Sequence, residues 1–186
     1  EAIDADGNRL FKDRVVNTID ISWGERHGLQ KRLYEEVTQY VAYGYDQARR
    51  EKKYYIGFLM ILMQRLVTSS TRAIREYLER RRDVLESEEA NLSRYSEEDF
   101  YEVDIEDSSQ ELVRAQPIDI KKEKIEIERL LSLAKLSENQ YLDAKAEQLL
   151  DTIFKLNIED KGLKILLFTE FIATQKYLKD ILEKKP

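Results

Sequence analysis

The stretch Lys164-Ile165-Leu166-Leu167-Phe168-Thr169-Glu170-Phe171, continued by Ile172-Ala173-Thr174-Gln175-Lys176-Tyr177-Leu178, is a continuous apolar run that passes through a hydroxyl residue into helical spacing. An uninterrupted apolar run of that length is the pattern of a strand covered on both faces, so the stretch predicts a buried parallel strand feeding an amphipathic helix. Such a strand needs neighbours. Only a few residues follow its helix, and the chain opens on Glu1, so the sequence is expected to be a piece excised from a larger protein.

Upstream, Asp6-Gly7-Asn8 reads as a turn, and Val15 to Ile21 has the β-branched character of a strand or hairpin. Ser22-Trp23-Gly24-Glu25 has the spacing of a capping box. A helix is then predicted, with Leu29, Leu33, Val37, Tyr40, Val41 and Ala48 on one face. A second helical region begins near Tyr55 and carries Phe58, Leu59, Ile61, Leu62 and Leu66, then Ile74, Tyr77, Leu78 and Leu85. The Ser69-Ser70-Thr71 cluster should break or kink it, because short hydroxyl side chains compete for backbone groups. Ile127, Leu130, Leu131 and Ala134 predict a third helix, and Leu142, Ala146, Leu149, Leu150, Ile153 and Leu156 a fourth. Asn157 to Gly162 turns into the apolar run, and Phe171, Tyr177, Leu178, Ile181 and Leu182 mark the last helix.

Composition narrows the chemistry. The 186 residues contain no cysteine and one histidine, His27, which excludes disulfides, thiolate metal sites and any site needing two imidazoles. That composition is compatible with a reducing, cytoplasmic setting. No run approaches the ~18 apolar residues of a membrane span, so no membrane partner is expected. The net charge of −6 is uneven: Glu86 to Asp107 holds ten acidic residues and one base, Arg94, for −9, which leaves +3 on the remainder. The segment from Glu86 to Gln116 is serine-rich and weakly periodic, and reads as a mobile insertion closed by Pro117. No Gly-x-x-x-x-Gly-Lys-Ser/Thr loop is present, so nucleotide hydrolysis by these residues alone is not expected.

Four segments carry a resemblance. "KILLFTEFIATQKYL" (164–178) resembles motif IV, the strand and helix that open the second RecA-like lobe of Swi/Snf-type ATPases in helicase superfamily two. Asp143-Ala144-Lys145 with Leu149-Leu150 is similar to the helix before that strand. "DGNRLFKDRVVNTIDISW" followed by "LQKRLYEEVTQYV" resembles the segment leaving the first lobe, and "FLMILMQRLVTSSTRAI" resembles the interlobe helices of the bacterial branch that includes RapA-like and phage-defence helicases. That branch often has proline after the paired serines, where Thr71 stands here.

The resemblance implies a mainly α chain with minor β: a helical interlobe subdomain plus the first βα unit of a RecA-like lobe, truncated. Residues 1–24 would end the first lobe as a strand or hairpin, 25–140 would form the interlobe region with its acidic insertion at 86–116, and 141–186 would begin the second lobe. The implied function is a fragment of an ATP-dependent translocase on duplex DNA, with ATP and Mg held by the parent enzyme and neither by this fragment. Thr169 and Glu170, just after the motif IV strand, would face the nucleic-acid backbone. A hydroxyl and backbone N–H groups at a helix start suit a phosphate oxygen, but Thr169 reads first as a plain cap for the last helix, a role compatible with the other, and Glu170 would repel phosphate.

Gln64, Arg65, Arg72 and Arg75, with Arg80, Arg81 and Arg82, form the most basic region. It reads either as a contact to the DNA backbone or as a solvated face of Glu/Arg pairs. Trp23 and the tyrosines read as core, with base stacking the alternative. An orphaned apolar strand would also drive homo-oligomers through strand pairing. The rival reading from another class is a stand-alone helical interaction module with an acidic segment.

Overall fold

The computed structural model describes residues 15–51, 54–88 and 120–184. These residues form a short 3-10 turn, Glu25–His27, and six helices: α1 (Gly28–Glu51), α2 (Tyr54–Ser69), α3 (Thr71–Glu88), α4 (Ile120–Gln140), α5 (Ala144–Glu159) and α6 (Ile172–Glu183). The chain is mainly α-helical, and among the described residues there is no strand.

The apolar spacing of each sequence segment becomes the inner face of a helix. Leu33 and Val37 of α1, Leu59, Leu62, Met63 and Leu66 of α2, Ile74 and Leu78 of α3, and Ile127, Leu130 and Ala134 of α4 enter one buried cluster. α1 and α2 lie antiparallel, with Thr38 and Gln64 hydrogen-bonded across the pair at 3.2 Å. They approach closely at Gly44, where an added Cβ would sit 2.6 Å from Met60 Sδ. α3 runs antiparallel to α4, joined by Arg81 to Glu123 at 2.6 Å and Lys135 to Glu79 at 3.2 Å. Arg129 pairs with Glu36 and closes α4 onto α1.

The predicted break falls at Ser70, the single residue between α2 and α3. It is a bend and not a gap, because Ser70 N still donates to Leu66 O and Ile74 N to Ser70 O. α6 packs beside the start of α3. α5 is secured mainly through its first turn: Ala144 N donates to Gln30 Oε1 at 2.9 Å, and Arg26 pairs with Glu147 at 2.9 Å. Beyond that turn its Phe154 and Ile158 are exposed.

Several expectations change. Residues 15–24 and 163–169 are neither helix nor strand, so neither the hairpin nor the buried βα unit is seen. Apolar sequence selects a strand only where a ladder partner is within reach, and these two segments do not pair. Exposure along the second one still alternates with a period of two: Leu163, Ile165 and Leu167 are 45, 40 and 37% exposed, and Leu166 and Phe168 are 77 and 88%. The whole segment is therefore exposed, one set of side chains more than the other. The capping box at Ser22 does not form; Gly24 begins the 3-10 turn, with its N–H donating to His27 Nδ1 at 3.1 Å and its carbonyl accepting from His27 N. The Asp6 to Asn8 turn and most of the acidic segment, from residue 89 onward, lie outside the described residues.

Candidate functional site at the bend between two helices

The Ser69-Ser70-Thr71 cluster organises the site. Ser70 precedes α3, and its Oγ accepts from Ala73 N at 3.0 Å, the side-chain cap that such a residue provides at a helix start. Thr71 N donates to Asp143 Oδ2 at 2.9 Å and Thr71 Oγ1 donates to Oδ1 at 2.5 Å, so one buried carboxylate closes the first turn of α3.

Asp143 is also the residue before α5. Its carbonyl accepts from Glu147 N, yet its carboxylate makes no cap bond to its own helix. Its backbone N–H donates to the Tyr177 hydroxyl of α6 at 3.1 Å. A single residue thus ties the starts of two helices to a third. Burial raises the Asp143 carboxyl above the ordinary aspartate range, against the opposing pull of the two Thr71 hydrogen bonds. Burial likewise lifts the Tyr177 phenol, with the neighbouring Asp143 charge adding to it.

Thr174 of α6 completes the junction, its Oγ1 lying 2.8 Å from the hydroxyls of both Ser69 and Ser70. Arg72 sits 5.3 Å from the centre of the Tyr177 ring and bonds Glu138 and Asp180. That guanidinium holds the Asp180 carboxyl below its ordinary value. Beside this junction lies a cavity of about 280 Å³ whose wall includes Ile19, Ser69, Asp143, Lys145, Phe168 and Thr174.

The chemistry of the junction is that of a brace. Both Asp143 oxygens are taken by Thr71, and the Ser69 and Ser70 hydroxyls each bond that of Thr174, so no described base stands ready beside a nucleophile here. No group of three or more potential metal ligands occurs among the described residues.

The residues singled out from sequence distribute unevenly. Arg65 and Glu170 come together as an exposed ion pair. Thr169 lines the cavity but caps nothing: α6 begins at Ile172, with Phe171 before it and no side-chain cap bond. The plain-cap reading of Thr169 is therefore corrected. Gln64 is engaged with Thr38. Arg72 and Arg75 both bond Glu138, and Arg75 also bonds Glu79 at 2.6 Å. Arg81 is 2% exposed against Glu123. This basic region is a set of ion-paired helix contacts more than an open cationic face.

His27 is buried, as a structural residue would be. Its Nε2 lies 3.1 Å from Glu147 Oε2 without hydrogen-bond geometry. Sequence reasoning missed Thr174 and the bracing role of Asp143. An aspartate just before a helix is itself a capping signal, but the signal points to its own helix and not to one 72 residues away.

Comparison with known proteins finds no family model, no curated protein and no solved structure that matches this chain.

Proposed function

We propose that this chain is the interlobe portion of an ATP-driven Swi/Snf-type translocase on duplex DNA, transmitting closure of two RecA-like lobes to movement along the duplex. One observation carries this reading. The four segments that bear the resemblance are scattered along the sequence, and all four contribute to the wall of a single cavity beside the α2–α3 bend, the larger of two described there: Ile19 and Ile21, Ser69 and Ser70, Asp143 and Leu149, Phe168 and Thr174. A coupling element needs the segments leaving one lobe and entering the next to share a joint, and this arrangement supplies one.

In this reading ATP and magnesium are held outside residues 1–186, since the sequence has no phosphate-cradling loop. The strand of the βα unit forms when Leu163 to Phe168 meets its neighbours in the second lobe. Thr169, exposed beside the cavity, takes the phosphate contact, and Arg65 is available to DNA only on release from Glu170. The test is ATP hydrolysis by the product of the complete reading frame. We expect duplex DNA to stimulate it; a product without a nucleotide loop, or one indifferent to duplex DNA, overturns the proposal.

A second reading, a helical interaction module, is favoured by the ion-paired arginines and by the exposed apolar run. It expects self-association or protein binding through Leu163 to Phe168 and none of the DNA-dependent hydrolysis.

A further inference from the structure

Next to the 280 Å³ cavity is a smaller one, of about 160 Å³, with a different lining. Trp23 and Tyr34 form an aromatic wall, their rings 6.1 Å apart and inclined at 46°. Val67 supplies an apolar floor, and Gln30, Thr68 and Lys145 bring polar groups to the margin. Trp23 is not absorbed into the core: it is 42% exposed, unlike the buried side chains of the helices behind it.

We propose that this pocket binds a nucleotide, with the base against the Trp23 and Tyr34 rings and the phosphate on Lys145. The size sets the ligand. Pockets for drug-sized molecules run ~300–1,000 Å³, so this one has room for a single planar ring system. The walls set its character, since a π-face accepts any base by stacking. The polar margin sets the rest. Gln30 Oε1 accepts from Ala144 N, which fixes the amide and leaves its nitrogen as a donor for a base edge. Lys145 Nζ bonds the Thr68 carbonyl at 3.1 Å and has no carboxylate partner among the described residues, so with respect to these residues two of its three N–H donors are open to an anion. Arg65, Arg72 and Arg75, by contrast, are held by acids.

This inference is independent of the translocase reading, because stacked bases of an intact duplex cannot enter; the ligand is a free nucleotide or an unstacked base of a single strand. Trp23 is the only tryptophan of the chain, so its fluorescence reports on this pocket alone. The experiment titrates the purified chain with a nucleoside monophosphate, the matching nucleoside, inorganic phosphate, phenol and a short single-stranded oligonucleotide, correcting for absorbance.

We expect saturable quenching by the nucleotide or the oligonucleotide, weaker binding of the nucleoside, and none by phosphate. Lys145→Ala, an exposed position that leaves the core intact, should weaken the nucleotide about tenfold, to the level of the nucleoside. Tighter binding of the oligonucleotide assigns the site to a strand, and equal affinity assigns it to free nucleotides. Absence of saturable quenching overturns the proposal. So does phenol binding as tightly as the nucleotide with no effect of Lys145→Ala, which would make the pocket a seat for an aromatic side chain of a partner protein.

Discussion

The first four helices and the segment from α5 to α6 use apolar residues in opposite ways. In α1 to α4, Leu33, Val37, Ile74, Leu78, Ile127 and Leu130 are wholly buried against one another. From residue 150 onward, Phe154, Ile158, Leu166 and Phe168 face outward, while Ala173, Thr174 and Tyr177 attach α6 to the rest. Hydrophobicity alone does not distinguish the two regions; the availability of a partner does. The helices satisfy their backbone internally and need only one apolar face covered, whereas the run at 163–168 requires another strand before its pattern becomes structure.

The sharpest way to break this comparison is to truncate a side chain in each region. Leu78→Ala should lower the unfolding free energy by about 4 kcal/mol, from lost burial and the cavity left behind. Phe168→Ala should change it by less than ~0.5 kcal/mol. Urea unfolding of both variants checks this, and a large loss for Phe168→Ala would mean that the outward segment is covered in solution.

The charged interior of the first region gives the next largest effect. Removing Arg81 leaves Glu123 without its partner in a poorly hydrated position, and we expect Arg81→Ala to cost about 3 kcal/mol. Arg81→Ala combined with Glu123→Gln should recover part of that loss in a double-mutant cycle.

At the boundary between the regions, Asp143→Ala should cost about 2 kcal/mol, because the Thr71 N–H loses its buried acceptor. The pH dependence of this residue has a defined sign. Its carboxyl is raised on folding, so its contribution is fullest below the ordinary aspartate value of ~3.9 and is lost as pH rises through the raised folded value. Relative to Asp143→Asn, the unaltered chain should therefore gain stability as pH falls through that window. A difference that stays flat with pH would show that the carboxylate is not desolvated.

The smallest effect is expected at the surface. Arg65 and Glu170 are exposed, and breaking their pair with Arg65→Ala should cost under ~1 kcal/mol, less at high salt. A several-fold loss of DNA-stimulated hydrolysis at unchanged stability would assign Arg65 to the duplex in the proposed machine.

The helices were legible in the sequence because their signals are local. Leu29, Leu33 and Val37 mark a face by spacing alone, and Ser69-Ser70-Thr71 marks a bend by its hydroxyls. The pairing of Arg75 with Glu79 was equally readable, being four residues apart on one helix. The site was legible only in part. Its hydroxyl triplet was visible, but the contacts of Ser69 with Thr174 and of Thr71 with Asp143 span 105 and 72 residues, and no periodicity reports them. Thr169 was misread as a cap for a related reason: a hydroxyl shortly before an amphipathic run is a good signal, yet the helix starts at Ile172, two residues beyond its reach.

The bend at Ser70 has a mechanical consequence. Because backbone hydrogen bonding persists through it, α2 and α3 form a bent rod and not two rods on a swivel. Asp143 grips the outer arm at its first turn, and Lys145, two residues further on, holds the Thr68 carbonyl on the inner arm. A torque applied to α5 therefore acts on both sides of the elbow at once, and it is resisted by carboxylate and ammonium contacts in place of loose chain.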